Sequence, residues 1–230
     1  MKRPLQIAID GPVAAGKGTI ASIIAKKLGL LYVYSGAMYR AVALLGLKNK
    51  VDLKDERKVL ALLKKSKIEF RKPKKGNPWG YSIFLDSQEV TEEIRDPKVS
   101  WGASLVATLP EVRRILVKRQ QEIARKKGVI MEGRDITTRV LPNADLKIYL
   151  TASLEERARR RKKQLEKEQG IKKSLGEVIR EIKKRDLQDS QRKVDPLTIT
   201  PDAWVLDATN LSIGKVVEKI LQRLKEKGLL

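Results

Sequence analysis

A chain of 230 residues buries roughly 72% of its unfolded surface on folding, enough for a full hydrophobic core in one domain. Fifty Lys and Arg against 28 Asp and Glu give a formal charge of +22, spread through a sequence that is 41% hydrophobic, which excludes a disordered basic tail and marks a basic globular protein. No cysteine and no histidine are present, so disulfides, thiolate or imidazole metal sites, Cys nucleophiles and His-based triads are all excluded.

The first element in chain order is the apolar run LQIAI, Leu5 to Ile9, a buried parallel strand that ends at Asp10-Gly11-Pro12. A glycine-punctuated loop leads into the helix TIASIIAKKL, which Gly29 stops. Leu30 to Tyr34 reads as a second strand, Gly36 to Leu45 as a second helix beginning just after Ser35, and Asp52 as the cap of a third helix running to Lys65. Between Lys67 and Val90 the period changes. Ile68 and Phe70, then Tyr81, Ile83 and Leu85, alternate at strand spacing around the turn-rich KPKKGNPWG, which predicts a small antiparallel excursion.

Helical character resumes over Pro97 to Thr108, and Pro110 starts a further helix that Gly128 ends. Val129 to Glu132 and Leu146 to Leu150 are two more buried strands, followed by an amphipathic helix from Ser153 to Glu168. Beyond Gly170, Ser174 and Glu177 have capping-box spacing and open a helix toward Asp189. Trp204 to Leu206 and a helix from Lys215 to Lys227 close the chain. Five short apolar strands separated by helices predict an open parallel α/β sheet.

The longest uncharged runs, at 28–39 and 99–110, are 12 residues each, well short of the ~20 that a membrane-spanning helix needs. Met-Lys-Arg, five apolar-run residues and Asp10 lack the ~7–15-residue core of a signal peptide. The expectation is a cytoplasmic protein with no membrane partner. Its charge attracts something anionic, either nucleic acid or phosphorylated small molecules. Three Trp, five Tyr and two Phe leave few stacking platforms, which tilts the expectation away from nucleic acid.

The chemistry is carried by Gly11, Pro12, Val13, Ala14, Ala15, Gly16, Lys17, Gly18 and Thr19, directly after a strand and opening a helix. Small residues let successive backbone N–H groups turn inward, the helix N-terminus adds partial positive charge, and Lys17 supplies a full charge for the β- and γ-phosphates of a nucleotide. Gly18 intervenes between Lys17 and Thr19, a departure from the general motif that shifts metal contacts from a loop hydroxyl to water or a carboxylate such as Asp10 or Asp135.

GPVAAGKGT at 11–19, YSGAMYRAVA at 34–43, VRRILVKRQ at 112–120, EGRDI at 132–136, LPNADLKIYLTASLEERARRR at 141–161 and RDLQDSQRKVDPL at 185–197, in that order and spacing, resemble the bacterial-type cytidylate kinase family over nearly the whole chain. The resemblance implies a P-loop kinase with a five-stranded parallel sheet flanked by helices, a small β-rich insert in the monophosphate-binding region and a helical lid. It divides the single domain 1–230 into a core (1–34, 111–153 and 198–230), a monophosphate-binding region (35–110, with its insert at 67–90), a lid (154–173) and a helical segment carrying nucleotide-binding residues (174–197).

The same resemblance implies transfer of the ATP γ-phosphate to CMP, and to dCMP, with Mg²⁺ accompanying ATP through phosphate and water rather than direct side-chain ligation. It assigns Ser104, Arg113 and Asp189 to the cytosine, Ser35, Asp135 and Arg185 to the sugar and its phosphate, and Arg40, Arg134 and Arg192 to the phosphate acceptor. Arg157 and Arg161 match lid positions facing ATP, so Lys17, Arg134, Asp135, Arg157 and Arg161 form the expected catalytic set. Arg157, Arg160 and Arg161 share one helix side, and spacing alone does not choose among them. Asp189 and Arg185, four apart, also suit a helix-surface ion pair.

Tyr39 and Trp101 read as packing residues, while Tyr34 and Thr137 replace an aspartate and a glycine common in the family. A kinase preferring UMP or another monophosphate, and an RNA-binding protein with a phosphate loop, are the rival readings. A monomer is the default expectation.

Overall fold

The computed structural model describes residues 3–230; Met1 and Lys2, which entered the reading of the N-terminus, lie outside the described residues. Among the described residues, eight strands and eight longer helices follow one another as β1 (Gln6–Asp10), α1 (Lys17–Leu28), β2 (Leu31–Tyr34), α2 (Ser35–Lys48), α3 (Glu56–Lys65), β3 (Ile68–Arg71), β4 (Ser82–Leu85), β5 (Gln88–Glu89), α4 (Pro97–Val106), α5 (Pro110–Lys126), β6 (Val129–Gly133), β7 (Leu146–Thr151), α6 (Leu154–Gln169), α7 (Leu175–Gln191), β8 (Trp204–Asp207) and α8 (Ile213–Glu226). The larger sheet has the order β2-β6-β1-β7-β8 and the smaller one the order β3-β4-β5. The paired strands β2/β6, β1/β7 and β7/β8 are parallel, so each connection needs a crossover, and helices flanking the sheet supply it. This is the α/β class expected from five apolar strands alternating with helices.

Two compact units make up the described chain, one formed by residues up to Gln6 and Ser22–Gly133, the other by Ile7–Ala21 and Arg134–Leu230. The first unit groups α5 and β6 with the 35–110 region. Its core includes Val33, Met38, Leu63, Leu116, Ile130 and Met131, all essentially inaccessible. Here the small sheet is antiparallel, with Ile68 opposite Leu85 and Phe70 opposite Ile83, which puts one apolar face of the insert inward. Tyr81, just outside β4, meets the rings of Tyr32 at 5.6 Å, Tyr34 at 5.8 Å and Phe70 at 6.0 Å. Tyr34 thus serves as part of an aromatic anchor between β2 and the insert, a role an aspartate could not fill.

Two local expectations are corrected in this unit. Asp55, not Asp52, caps α3, its side chain accepting from the Lys58 N–H. Asp52 instead accepts from the Lys54 N–H at 3.0 Å and holds the preceding turn. Trp101 does not pack: it is 66% exposed, because α4 buries Val99, Gly102, Ala103 and Val106, an i, i+3, i+4, i+7 stripe that leaves position 101 facing away.

The second unit pairs β1 with β7 in the register Ile7↔Leu146 to Asp10↔Tyr149. Ser153 caps α6 and Gly170 ends it in the left-handed conformation at φ 66°. Ser174 and Glu177 form the capping box that their spacing predicts, satisfying two otherwise orphaned donors at the start of α7. α6 and α7 share a core of Ala158, Leu165, Val178 and Ile182, with Val13 and Ala14 packed against it. Among the described residues no helix is long and apolar enough to cross a membrane.

Candidate functional site

The second unit contains the whole loop between β1 and α1. Gly11 has φ 150°, and a Cβ there would lie 2.0 Å from the Leu150 carbonyl oxygen, so the position admits only glycine. Ala14 (φ 60°) and Gly16 (φ 95°) also adopt positive φ; for Ala14 this conformation costs energy that the surroundings must offset. The buried Lys17 folds back along the loop, its Nζ donating to the carbonyls of Gly11 and Pro12, each at 2.8 Å. Gly18 and the exposed Thr19 lie in the first turn of α1. Backbone amides at a helix N-terminus beside a lysine ammonium make a site for a polyphosphate.

Asp10 is completely buried at the end of β1. One carboxylate oxygen accepts from the Ile136 N–H at 3.0 Å, and the other from the N–H and hydroxyl of Thr137, both at 2.7 Å. Burial pushes its carboxyl above the ordinary range, against the opposing pull of those donors and of Lys17. Asp10 therefore anchors the π-helical turn Ile136–Val140. Thr137 adds a hydroxyl donor to this clamp that glycine would lack.

Arginines and carboxylates converge on the same unit. Arg134 Nε donates to Asp189 at 2.6 Å, joining two residues that the sequence assigned to different parts of the substrate. The same contact is an ion pair between two half-buried groups. Buried Asp135 lies 3.7 Å from Arg192, whose Nε donates to the Asp195 carbonyl at 2.6 Å.

Arg157 donates through Nε to the Ala152 carbonyl at 3.0 Å, and through Nη1 to the Val13 carbonyl at 3.0 Å and to Asp186 at 2.5 Å. Arg160 also reaches the loop, Nη1 to the Ala15 carbonyl at 3.4 Å, while its Nη2 donates to the Ala208 carbonyl at 2.7 Å. Arg161 donates to Gln164. Of the three arginines that helix spacing left equivalent, 157 and 160 touch the loop backbone.

In the first unit, Ser35 donates to the Glu132 carbonyl at 2.8 Å and stitches α2 to β6. Arg40 donates to the Ile94 carbonyl at 3.0 Å and to Ser100 at 2.6 Å. Arg113, only 2% exposed, donates to the Ala107 carbonyl at 3.2 Å and stands 5.6 Å from the Tyr39 ring centroid. Tyr39 is buried beside it, as expected of a packing residue. The Ser104 hydroxyl makes a long 3.5 Å contact with the Ser100 carbonyl.

Sequence reasoning missed Asp186 and the Asp10 clamp. The second had a signal, an acid ending an apolar strand just before the loop glycine. Asp186 had none, being one charged residue among many on a charged helix.

A glycine-forced cradle at the end of a parallel strand, with a buried lysine across it and arginines on its backbone, defines a phosphate-loop kinase. Comparison with known proteins narrows the class: the family model described as cytidylate kinase matches residues 7–226. The cytidylate kinase of Caldanaerobacter subterraneus subsp. tengcongensis is 47% identical over 222 residues, covering 96% of this chain and 95% of that one. That of Bacillus subtilis is 46% identical over 228 residues, covering 99% and 100%. A solved structure of an uncharacterised protein from Eubacterium ventriosum, 9% identical with a TM-score of 0.51 over 96% of this chain and 98% of that one, shares the fold alone. The chain belongs to the cytidylate kinase family.

Proposed function

We propose that this protein transfers the γ-phosphate of ATP to CMP, and to dCMP, giving the nucleoside diphosphate and ADP by direct in-line displacement. The observation that carries the reading is the loop at 11–19, shaped by Gly11 and crossed by Lys17, in a chain whose family match spans 7–226. Gly11 to Thr19 bind the ATP phosphates. Ser35, Arg40, Ser104, Arg113, Asp135, Arg185, Asp189 and Arg192 bind CMP, and the segment 154–173 acts as a lid over ATP.

Phosphoryl transfer needs little covalent help from the protein; it needs alignment and cations around oxygens that gain charge. Lys17, Arg134, Arg157 and Arg161 supply such cations, and arginine's planar fork also fixes orientation. No strong general base is needed, because the attacking CMP oxygen is already anionic. Cytosine offers an amino donor where uracil offers a carbonyl, so the Asp189 carboxylate accepts from one and repels the other.

The oxygen donors near the loop are of the hard type that suits Mg²⁺. Asp135 fits contact through water, whereas both Asp10 oxygens are engaged by Ile136 and Thr137. Mg²⁺ carried on ATP would neutralise charge between the β- and γ-phosphates. Free ATP and CMP as substrates imply a cytoplasmic enzyme.

A coupled assay of ADP release across CMP, dCMP, UMP, AMP and dTMP tests the reading. CMP and dCMP should be turned over with kcat/KM at least about 10²-fold above the others. Equal or better use of UMP would sink the cytosine assignment.

A further inference from the structure

The two peptide groups that flank Val13 are held from one point. Asp186 on α7 accepts from the Val13 N–H through one oxygen at 3.0 Å and from Arg157 Nη1 through the other at 2.5 Å. That same Nη1 donates to the Val13 carbonyl at 3.0 Å, so a single carboxylate fixes the N–H of the peptide before Val13 directly and the carbonyl of the peptide after it through the guanidinium. The next residue, Ala14, has φ 60°, a conformation that persists in a non-glycine residue only where neighbours impose it. Val13 and Ala14 also pack against the α6–α7 core. The brace thus sits immediately before the strained link of the cradle.

Arg157 is nearly buried, and its Nε and Nη1 are committed to Ala152, Val13 and Asp186. Nη2 is the end left to meet a ligand, and its direction follows from the fork that Asp186 holds. Asp186 and Asp189 are three apart on α7, hence on one side of it, and Asp189 holds Arg134 in the same way.

We propose that Asp186 is a positioning residue for the ATP half of the reaction: it braces the phosphate loop at Val13 and aims Arg157, without touching the nucleotide itself. The proposal rests on the reading of residues 11–19 as the ATP site, and it makes Asp186 specific to ATP among the two substrates.

The test compares wild type, Asp186→Ala and Asp186→Asn by calorimetric ADP binding, by KM for ATP and for CMP, and by thermal melting. Loss of a charge-assisted hydrogen-bond pair should weaken ADP binding and raise the ATP KM about tenfold or more in Asp186→Ala. The CMP KM should stay within about twofold. Asp186→Asn, whose amide oxygen still accepts from the Val13 N–H while its charge for Arg157 is gone, should fall between the other two.

An alanine variant that binds ADP as tightly as wild type overturns the proposal. So does one in which ADP affinity, CMP KM and melting temperature worsen together, the mark of a merely structural residue. If the alanine variant does not fold, the asparagine variant decides by the same criteria. A wild type that binds ADP but does not phosphorylate CMP overturns the acceptor reading and leaves this test standing. A wild type that binds no ADP overturns both.

Discussion

The phosphate loop and the residues proposed to hold CMP solve the same problem, binding an anion, by opposite means. At 11–19 the main chain does the work: Gly11 is forced by the Leu150 carbonyl, two further residues take positive φ, and Lys17 ties the loop carbonyls together. In the proposed CMP site the work would fall to side chains from separate elements, each steadied by its own local contact. Arg40 is held by Ile94 and Ser100, Arg113 by Ala107, Asp189 by Arg134. A backbone cradle needs consecutive residues of small size and left-handed freedom, so its substitutions are all-or-none. A side-chain set is graded, because each member contributes separately and some substitutions only alter selectivity.

The largest effect should come from the loop. Lys17→Ala is expected to lower kcat by about 10²–10³-fold or more, read from steady-state ADP release; near-normal turnover would remove the phosphate-loop assignment. Gly11→Ala drives a methyl into the Leu150 carbonyl at 2.0 Å and should lower the melting temperature by about 10 °C or more, measured by calorimetry. An unchanged melting curve would show that the loop relaxes without cost and would weaken the contrast drawn above.

On the graded side, Asp189→Ala should raise the CMP KM by roughly 10–100-fold with little change in ATP affinity. It should also narrow the gap between CMP and UMP. Kinetics with both monophosphates checks this, and an unaltered CMP KM counts against base recognition. The smallest effect is expected at Ser35→Ala, which removes the 2.8 Å bond to the Glu132 carbonyl and should cost about 1 kcal/mol, or roughly 2–4 °C in melting temperature. A loss above about 10 °C would mean that the serine holds far more than one hydrogen bond.

The same contrast explains how much was legible beforehand. Every strand of the larger sheet was readable as an apolar run, and the capping box at Ser174 stood where its chemistry required. Errors fell where two neighbouring residues could do one job, as with Asp52 and Asp55, or where a helix's buried face depended on its partners, as with Trp101. The loop was legible because its geometry is imposed by consecutive residues. Asp186 was not, because nothing in a helix of alternating acids and bases distinguishes the one carboxylate that meets Val13.

The sequence alone determined the alternation of elements, the cradle and its lysine, since helix period, strand period and positive φ are properties of a few adjacent residues. Only the tertiary structure decided that Arg157 and Arg160 of α6 reach the loop, that Arg134 pairs with Asp189, and that Asp10 holds Ile136 and Thr137. Those outcomes depend on which groups are desolvated together, and burial is a property of the packed chain, in which residues more than a hundred positions apart compete for the same few donors.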